Sequence, residues 1–358
     1  MDNTNSAIEL LSSLIATPSV SREEVATATL IDVWLQNRGL PTIRIKNNVL
    51  VLPRNFDSSK PTLLLNSHHD TVKPSPSYNR DPFNPSISDG RIFGLGSNDA
   101  GASVVSLMHV FPNHYNLDHK YNLILAITAE EEVGGENGIR AVLPELDRLG
   151  FPIDMALVGE PTSLQPAVGE RGLIVLDCVA HGKTGHAARN EGVNAIYEAI
   201  DDIQTLRNFQ FPKKSQLLGD IKISVTQIQA GTQHNVIPDQ CRFVVDVRTT
   251  DAYSNEETAR MIADAIHSEA TPRSTRVWPS AIDSSHPLVA TAVRLGGKPF
   301  VSPTTSDMSL LHDIPSLKIG PGDSARSHMA AEWVYIREIT DAIDYYNNFL
   351  NLLNETLD

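Results

Sequence analysis

Cysteine is almost missing: Cys178 and Cys241 are the only two in 358 residues, and neither sits in a paired-cysteine spacing. That excludes a disulfide framework, a zinc knuckle and a Cys-x-x-Cys redox motif. Each lies in an apolar, strand-like run, where a buried and reduced thiol is expected, the cysteine usage of a cytosolic protein. Long apolar runs are missing as well, and none reaches the roughly 18 residues that a membrane span requires. The opening stretch MDNTNSAIELL has neither a basic start nor a long apolar segment. No secretory signal is read there, and a cytoplasmic location is expected. Positive charge is in deficit, with 29 Lys and Arg against 43 Asp and Glu for a formal net charge of −14. Such a field repels phosphate-rich partners, which disfavours nucleic acid and anionic membrane surfaces. The expected substrate is small, and an acidic one needs a local basic pocket.

The rest of the composition is that of a globular protein, 41% hydrophobic and 20% charged, at a length that suggests two domains. In the first half, residues 23–38 carry helical apolar spacing through Val25, Leu30, Val33, Trp34 and Leu35. Thr62–Asn66, Tyr121–Thr128 and Met155–Val158 are short apolar runs that each stop just before polar residues. Runs of that kind read as buried parallel strands of an α/β sheet, whose ligands gather at the strands' C-terminal ends. The middle predicts a strand at 172–180, a helix at 194–207, strands at 221–229 and 241–250, a helix at 256–270 and a strand at 276–278. That order, βαββαβ, is the ferredoxin-like unit. A strand at 316–319 and a helix at 334–353 close the chain. The expectation is an α/β domain with a mostly parallel sheet, residues 1–171 and 286–358, interrupted by an inserted domain at 172–285.

Five short motifs stand at strand ends. They are Ser67-His68-His69-Asp70-Thr71-Val72, Gly94-Leu95-Gly96-Ser97-Asn98-Asp99, Thr128-Ala129-Glu130-Glu131-Glu132, Gly159-Glu160-Pro161-Thr162, and His328 after Gly320-Pro321-Gly322. His68 and Asp70 fall on one side of an extended chain, where a carboxylate can fix a ligand histidine's tautomer. A single strand-end histidine or carboxylate is usually a cap or a surface group. Two histidines with several carboxylates, all parked where α/β sheets build sites, suit a dication such as zinc. Three adjacent glutamates also repel one another, which a bound dication relieves. No Gly-x-Ser-x-Gly elbow competes with this reading.

With these motifs in this order, the chain resembles the M20 family of metallopeptidases and deacylases over essentially its whole length. The resemblance implies a zinc-exopeptidase-like catalytic domain, with the inserted domain acting as lid and dimerisation domain of a homodimer. It implies two divalent ions per chain, Zn2+ first and Co2+ as an alternative. His68 and Glu160 would close one metal site, Glu132 and His328 the other, and Asp99 would bridge both. Asp70 would orient His68, and Glu131 would be the general base that takes a proton from water and passes it to the leaving amine. His69 stands where the family often has a small residue, and no role is expected for it.

Other residues keep two readings. His186, in Gly182-Lys183-Thr184-Gly185-His186-Ala187-Ala188, is a hairpin-loop residue or, by the resemblance, an oxyanion donor reaching the neighbouring chain's metals. Arg171 and Arg248 are clamps for a substrate carboxylate or surface ion pairs. Asn235 and the segment Thr305-Ser306-Asp307 resemble substrate-lining positions of the family's deacylases, although Ser306 and Asp307 equally suit a helix cap. Within the family, Gly159–Leu164 and the overall size look most like the enzymes that convert N2-acetyl-L-ornithine to L-ornithine and acetate in arginine biosynthesis. Deacylation of N-succinyl-ornithine, N-acetyl-lysine, N-acetyl-citrulline or succinyl-diaminopimelate is the near alternative. A dipeptidase, or a metal-free binding protein on the same scaffold, is more remote.

Overall fold

The runs around 62 and 122 lack polar alternation because both faces of their strands are covered. In the computed structural model of the chain, which describes residues 3–189 and 191–357, Thr62–His68 and Asn122–Thr128 are strands buried along their whole length. The terminal residues 1, 2 and 358 of the expected catalytic domain, and residue 190 of the inserted one, lie outside the described residues. The sheet runs in the order Thr42–Ile45, Asn48–Val51, Asn122–Thr128, Thr62–His68, Met155–Val158, Ser316–Lys318, Ala167–Glu170, with Phe300–Ser302 beside the last. Its four central strands are mutually parallel, and its edges are antiparallel.

Strand side chains alternate between faces, so neighbouring leucines serve different layers. Leu63 and Leu65 join Leu125, Ile127, Leu157 and Leu317 against Leu11, Phe111 and Phe349 of the helices Asn3–Ile15, Ala102–His114 and Ile336–Thr356. Leu64 faces the opposite way, with Ile124, Ala126 and Val158, against Val142 and Leu146 of the helix Ile139–Arg148. Each such leucine stabilises the fold by roughly 1.5–3 kcal/mol through burial alone. The outcome is an α/β fold with a mixed, mostly parallel central sheet, covered on both faces. No helix among the described residues is long and apolar enough to cross a membrane.

The chain divides into two compact units, Met1–Gly169 with Ile282–Asp358, and Glu170–Ala281. The change-over falls a few residues ahead of the limits 171/172 and 285/286 drawn on the sequence. The second unit is an antiparallel sheet in the order Lys222–Ala230, Gln240–Thr249, Gly172–His181, Glu269–Pro272, with the helices Ala195–Asn208 and Asn255–Asp264. Alternate residues Ile174, Leu176, Cys178, Cys241, Phe243 and Val245 pack with Leu206 and Ile262. Both cysteines are free and buried. The order is βαββαβ, but the second helix ends at Asp264 instead of running to 270. There the Asp202 carboxylate accepts from the backbone of His267 and Ser268 and from the Ser268 hydroxyl, drawing the chain out of the helix. The following residues, Glu269–Pro272, form the fourth strand, which had been expected at 276–278; Val277 makes only an isolated bridge to Leu173.

Candidate metal centre

Sheet register assembles the site before any side chain is considered. His68 pairs with Thr128, and Asn66 with Val158, so residues just past 128 and 158 end level with His68. Glu130–Glu132 and Glu160 therefore leave adjacent strands at one edge. Lys318, paired with Val158, ends a third strand there and leads into the loop that bears His328. That packing requires glycine at 320, where a Cβ would lie 2.5 Å from the Ser103 hydroxyl and 2.6 Å from the Glu160 carbonyl. Asp99 arrives on the turn before the helix Ala102–His114, and the turn needs Gly96, whose φ is 75°. The Asp99–Ala100 peptide is cis.

His68 Nδ1 lies 3.0 Å from the Asp70 carbonyl oxygen and 3.4 Å from its carboxylate. A neutral ring thus carries its proton on Nδ1 and presents the lone pair of Nε2. That nitrogen faces Asp99 Oδ1 at 3.2 Å, Glu160 Oε1 at 3.5 Å and Glu131 Oε2 at 3.8 Å. The Asp70 carboxylate is also engaged elsewhere, accepting from Glu131 N at 3.0 Å, Glu132 N at 3.3 Å and the Ser21 hydroxyl at 2.7 Å. It therefore fixes the glutamate turn as well as the histidine ring. On the other side, His328 Nε2 lies 3.0 Å from Glu132 Oε2 and 3.8 Å from Asp99 Oδ2. Asp99 thus turns one oxygen toward His68 and the other toward His328.

The three glutamates have separated roles. Glu130 is buried, and its carboxylate accepts from Asn137 N at 3.2 Å and Asn137 Nδ2 at 2.8 Å. Glu132 meets His328, while Glu131 lies in neither contact. Burial raises the pKa of Glu131 well above the usual carboxylate range, and Glu160, Asp307 and Glu132 add to the effect. Burial, with Asp99 and Asp307 nearby, pushes Glu160 to about 8, and burial pushes Asp307 to about 6. Burial opposes charge on His68, but Glu131, Asp70, Asp99 and Glu160 prevail and hold its pKa well above the ordinary value. The site holds more buried negative charge than its own groups neutralise.

A divalent cation fits this surplus. One ligand atom from each of His68, Asp99 and Glu132 lies within 4.8 Å of the others. Imidazole and carboxylate donors without thiolate suit zinc-like or harder divalent ions.

Sequence reasoning missed three contributors. Asp307, 2% exposed, accepts from the Thr128 hydroxyl at 3.0 Å. Lys318 is a buried lysine that donates to the Thr304 carbonyl at 2.9 Å, and its charge bears on Glu160. Glu332 binds the turn that carries Asp99. Asp307 had a signal in Thr305-Ser306-Asp307, which reads as a substrate-lining segment or a helix cap and not as a neighbour of the metal-ligand candidates. Ser306 itself is 3% exposed and accepts from Met308 N at 3.3 Å, the capping geometry. The ring of His69 is engaged by Thr27 Oγ1 and the Asn47 carbonyl, each at 3.0 Å.

In the second unit, Gly185–His186 pairs with Val236–Ile237, and Ala187 N donates to the Asn235 carbonyl at 3.0 Å. That short ribbon brings His186 and Asn235, both exposed, together. His186 Nδ1 accepts from Ala188 N at 3.1 Å. Arg171 donates from Nη2 to the Leu218 carbonyl at 2.5 Å, while its buried Nε has no hydrogen-bond partner among the described residues. Arg248 makes two hydrogen bonds to Asp246, at 2.9 and 3.1 Å, the ion-pair alternative left open above.

Residues 64–352 match peptidase family M20/M25/M40. The chain belongs to that family. It is a metal-dependent amidohydrolase with the family's α/β catalytic fold. The chain is 28% identical over 275 residues to a succinyl-diaminopimelate desuccinylase of Halorhodospira halophila, covering 74% of this chain and 73% of that one. It is 28% identical over 377 residues to an acetylornithine deacetylase of Shigella sonnei, covering 93% and 94% respectively. A dinuclear metal-binding M20 peptidase of Bacillus subtilis superimposes with a TM-score of 0.73 at 20% identity, covering 99% of each chain.

Proposed function

We propose that the enzyme cleaves the amide of a small N-acyl amino acid, with N2-acetyl-L-ornithine, yielding L-ornithine and acetate, as the first assignment. The observation that carries the hydrolytic reading is Glu131, a half-buried carboxylate 3.8 Å from His68 Nε2 and outside the contacts that engage Glu130 and Glu132. A metal-free binding protein has no need of such a group. The deacetylase of Shigella sonnei, matched nearly end to end, supports the acetyl substrate, and a place in arginine biosynthesis with it. The desuccinylase relative favours succinyl-diaminopimelate as the second reading.

His68, Asp99, Glu132, Glu160 and His328 would hold two divalent ions, with Zn2+ the first choice. When bound, such ions polarise the scissile carbonyl and acidify water. Glu131 takes the proton of the attacking water on a carboxylate oxygen, the C–N bond breaks, and the same proton passes to the departing nitrogen. Asp70 keeps His68 in one tautomer while holding the backbone from which Glu131 projects. No covalent acyl-enzyme is required. Of the two arginines, Arg171 is the better clamp for a substrate carboxylate, since Arg248 is committed to Asp246. The Ser306 hydroxyl, buried in its cap, is assigned to shaping the pocket wall.

A panel of N-acetyl- and N-succinyl-ornithine, -lysine, -citrulline and -diaminopimelate ranks these substrates by kcat/KM. Acetylornithine should lead; a succinyl compound leading by tenfold or more replaces the assignment, and no hydrolysis of any of them removes the class.

The second unit is proposed to form a homodimer, its edge strand Lys222–Ala230 and helix Ala195–Asn208 exposing Ile228 (55%), Tyr197 (65%) and Ile200 (47%). The His186–Asn235 ribbon would then supply oxyanion donors to the neighbouring chain's centre. Glu131→Gln and His186→Ala homodimers should each be nearly inactive. Mixed dimers should regain activity, because one site then has both groups intact. No recovery after verified subunit exchange places His186 in its own chain's site or outside catalysis.

A further inference from the structure

Two ligand-bearing loops far apart in sequence, the turn 96–99 and the loop 323–328, meet at the centre, and their mutual attachment is unusually well specified. The Glu332 carboxylate, 1% exposed, takes three backbone N–H groups of the turn. Gly96 N donates to Oε2 at 3.0 Å, and Asn98 N and Asp99 N donate to Oε1 at 2.8 and 2.9 Å. The turn's side chain answers in the other direction. Asn98 Nδ2 donates to the Asp323 carbonyl at 3.1 Å and to Ser327 Oγ at 3.2 Å, and Asn98 Oδ1 accepts from Asp323 N at 3.0 Å.

Glu332 is itself held in place by backbone contacts. Trp333–Tyr335 pairs with Arg91–Phe93, and Gly94 N donates to the Glu332 carbonyl at 3.1 Å. The carboxylate is thus delivered to the turn from a strand, on a rigid base. Its two oxygens take three N–H donors, which commits the carboxylate to holding the turn's backbone. Its chemistry is that of an acceptor with two ends, converging N–H groups from residues 96, 98 and 99 onto one point. Asp99, whose two oxygens face His68 and His328, is the side chain this convergence aims.

We infer that Glu332 is a positioning residue: by gathering the N–H groups of the turn 96–99 it sets the direction of the Asp99 carboxylate and thereby the affinity of the centre for divalent ions. The inference rests on the two-ion reading above. Glutamine at 332 preserves the shape but leaves one acceptor oxygen, so one end of the grip is lost and an NH2 group faces an N–H group.

The test uses the full chain stripped of metal. Binding of Co2+ is measured by chelator competition and by the visible absorption of the bound ion, in wild type, Glu332→Gln and Glu332→Asp. Folding of each apo form is read by circular dichroism. The expected result for Glu332→Gln is a folded apo protein with a dissociation constant raised about 10–100-fold and an altered Co2+ spectrum, since partners of metal ligands typically act on that scale. Glu332→Asp, which keeps both oxygens on a shorter arm, should lie between. Wild-type affinity and spectrum in folded Glu332→Gln overturn the inference, even with a lowered melting temperature. Failure of both variants to fold in the apo form also overturns it, by assigning Glu332 to the fold. If the wild-type protein itself binds no divalent ion, the two-ion reading is what falls.

Discussion

Glu131→Gln should lower kcat by about 10²–10⁴-fold while leaving the metal content of the protein unchanged. The substitution keeps the size of the side chain and removes only its basicity. Three consecutive glutamates could each be named from the sequence, and the structure distributes them. Glu130 gives its oxygens to Asn137, and Glu132 gives its own to His328. The Glu131 carboxylate has no hydrogen bond among the described residues, and its environment acts through burial and neighbouring charge. That environment makes it a stronger base than an exposed carboxylate. A metal-loaded Glu131→Gln enzyme with near-normal kcat would move the proton transfer elsewhere. Glu130, whose carboxylate oxygens both bond Asn137, is the less suitable substitute. Asp307, buried and raised to about 6 by that burial, would be the group to test next.

The parts of this site that could be read from sequence were those dictated by local pattern. Parallel strands covered on both faces must be apolar throughout, so their ends are marked by the first polar residues, and that places His68, Glu130–Glu132 and Glu160 at one edge. The βαββαβ order of the second unit followed from alternating periods, as its buried Ile174, Leu176 and Cys178 exemplify. Contacts between distant segments left no such mark. Glu332 reaches a turn 236 residues earlier, and nothing in Ala331-Glu332-Trp333 distinguishes it from a surface glutamate. The end of the helix at Asp264 depends on Asp202, which propensity within 256–270 cannot reveal. Arg248 is a different case. Asp246 lies two residues earlier on the same strand, hence on the same face, so their pairing was available from the period-two rule.

Asp99→Asn should cost more than any other single replacement among the proposed ligands, because Asp99 faces the histidines of both halves of the proposed centre. Its Oδ1 is 3.2 Å from His68 Nε2, and its Oδ2 is 3.8 Å from His328 Nε2. An amide at this position keeps the shape and the turn but withdraws the charge and one acceptor oxygen. One half then loses its oxygen donor and the other keeps only a neutral amide oxygen, so elemental analysis should find little metal in either, and kcat should fall by about 10³-fold or more. Glu160→Gln touches only the His68 half and Glu132→Gln only the His328 half, so each should retain one ion of the pair. The informative quantity is the ratio of metal to protein across the three variants after identical reloading. If Asp99→Asn retains as much metal as the two single-half variants, Asp99 does not join the halves, and the centre must be redrawn as two independent sites.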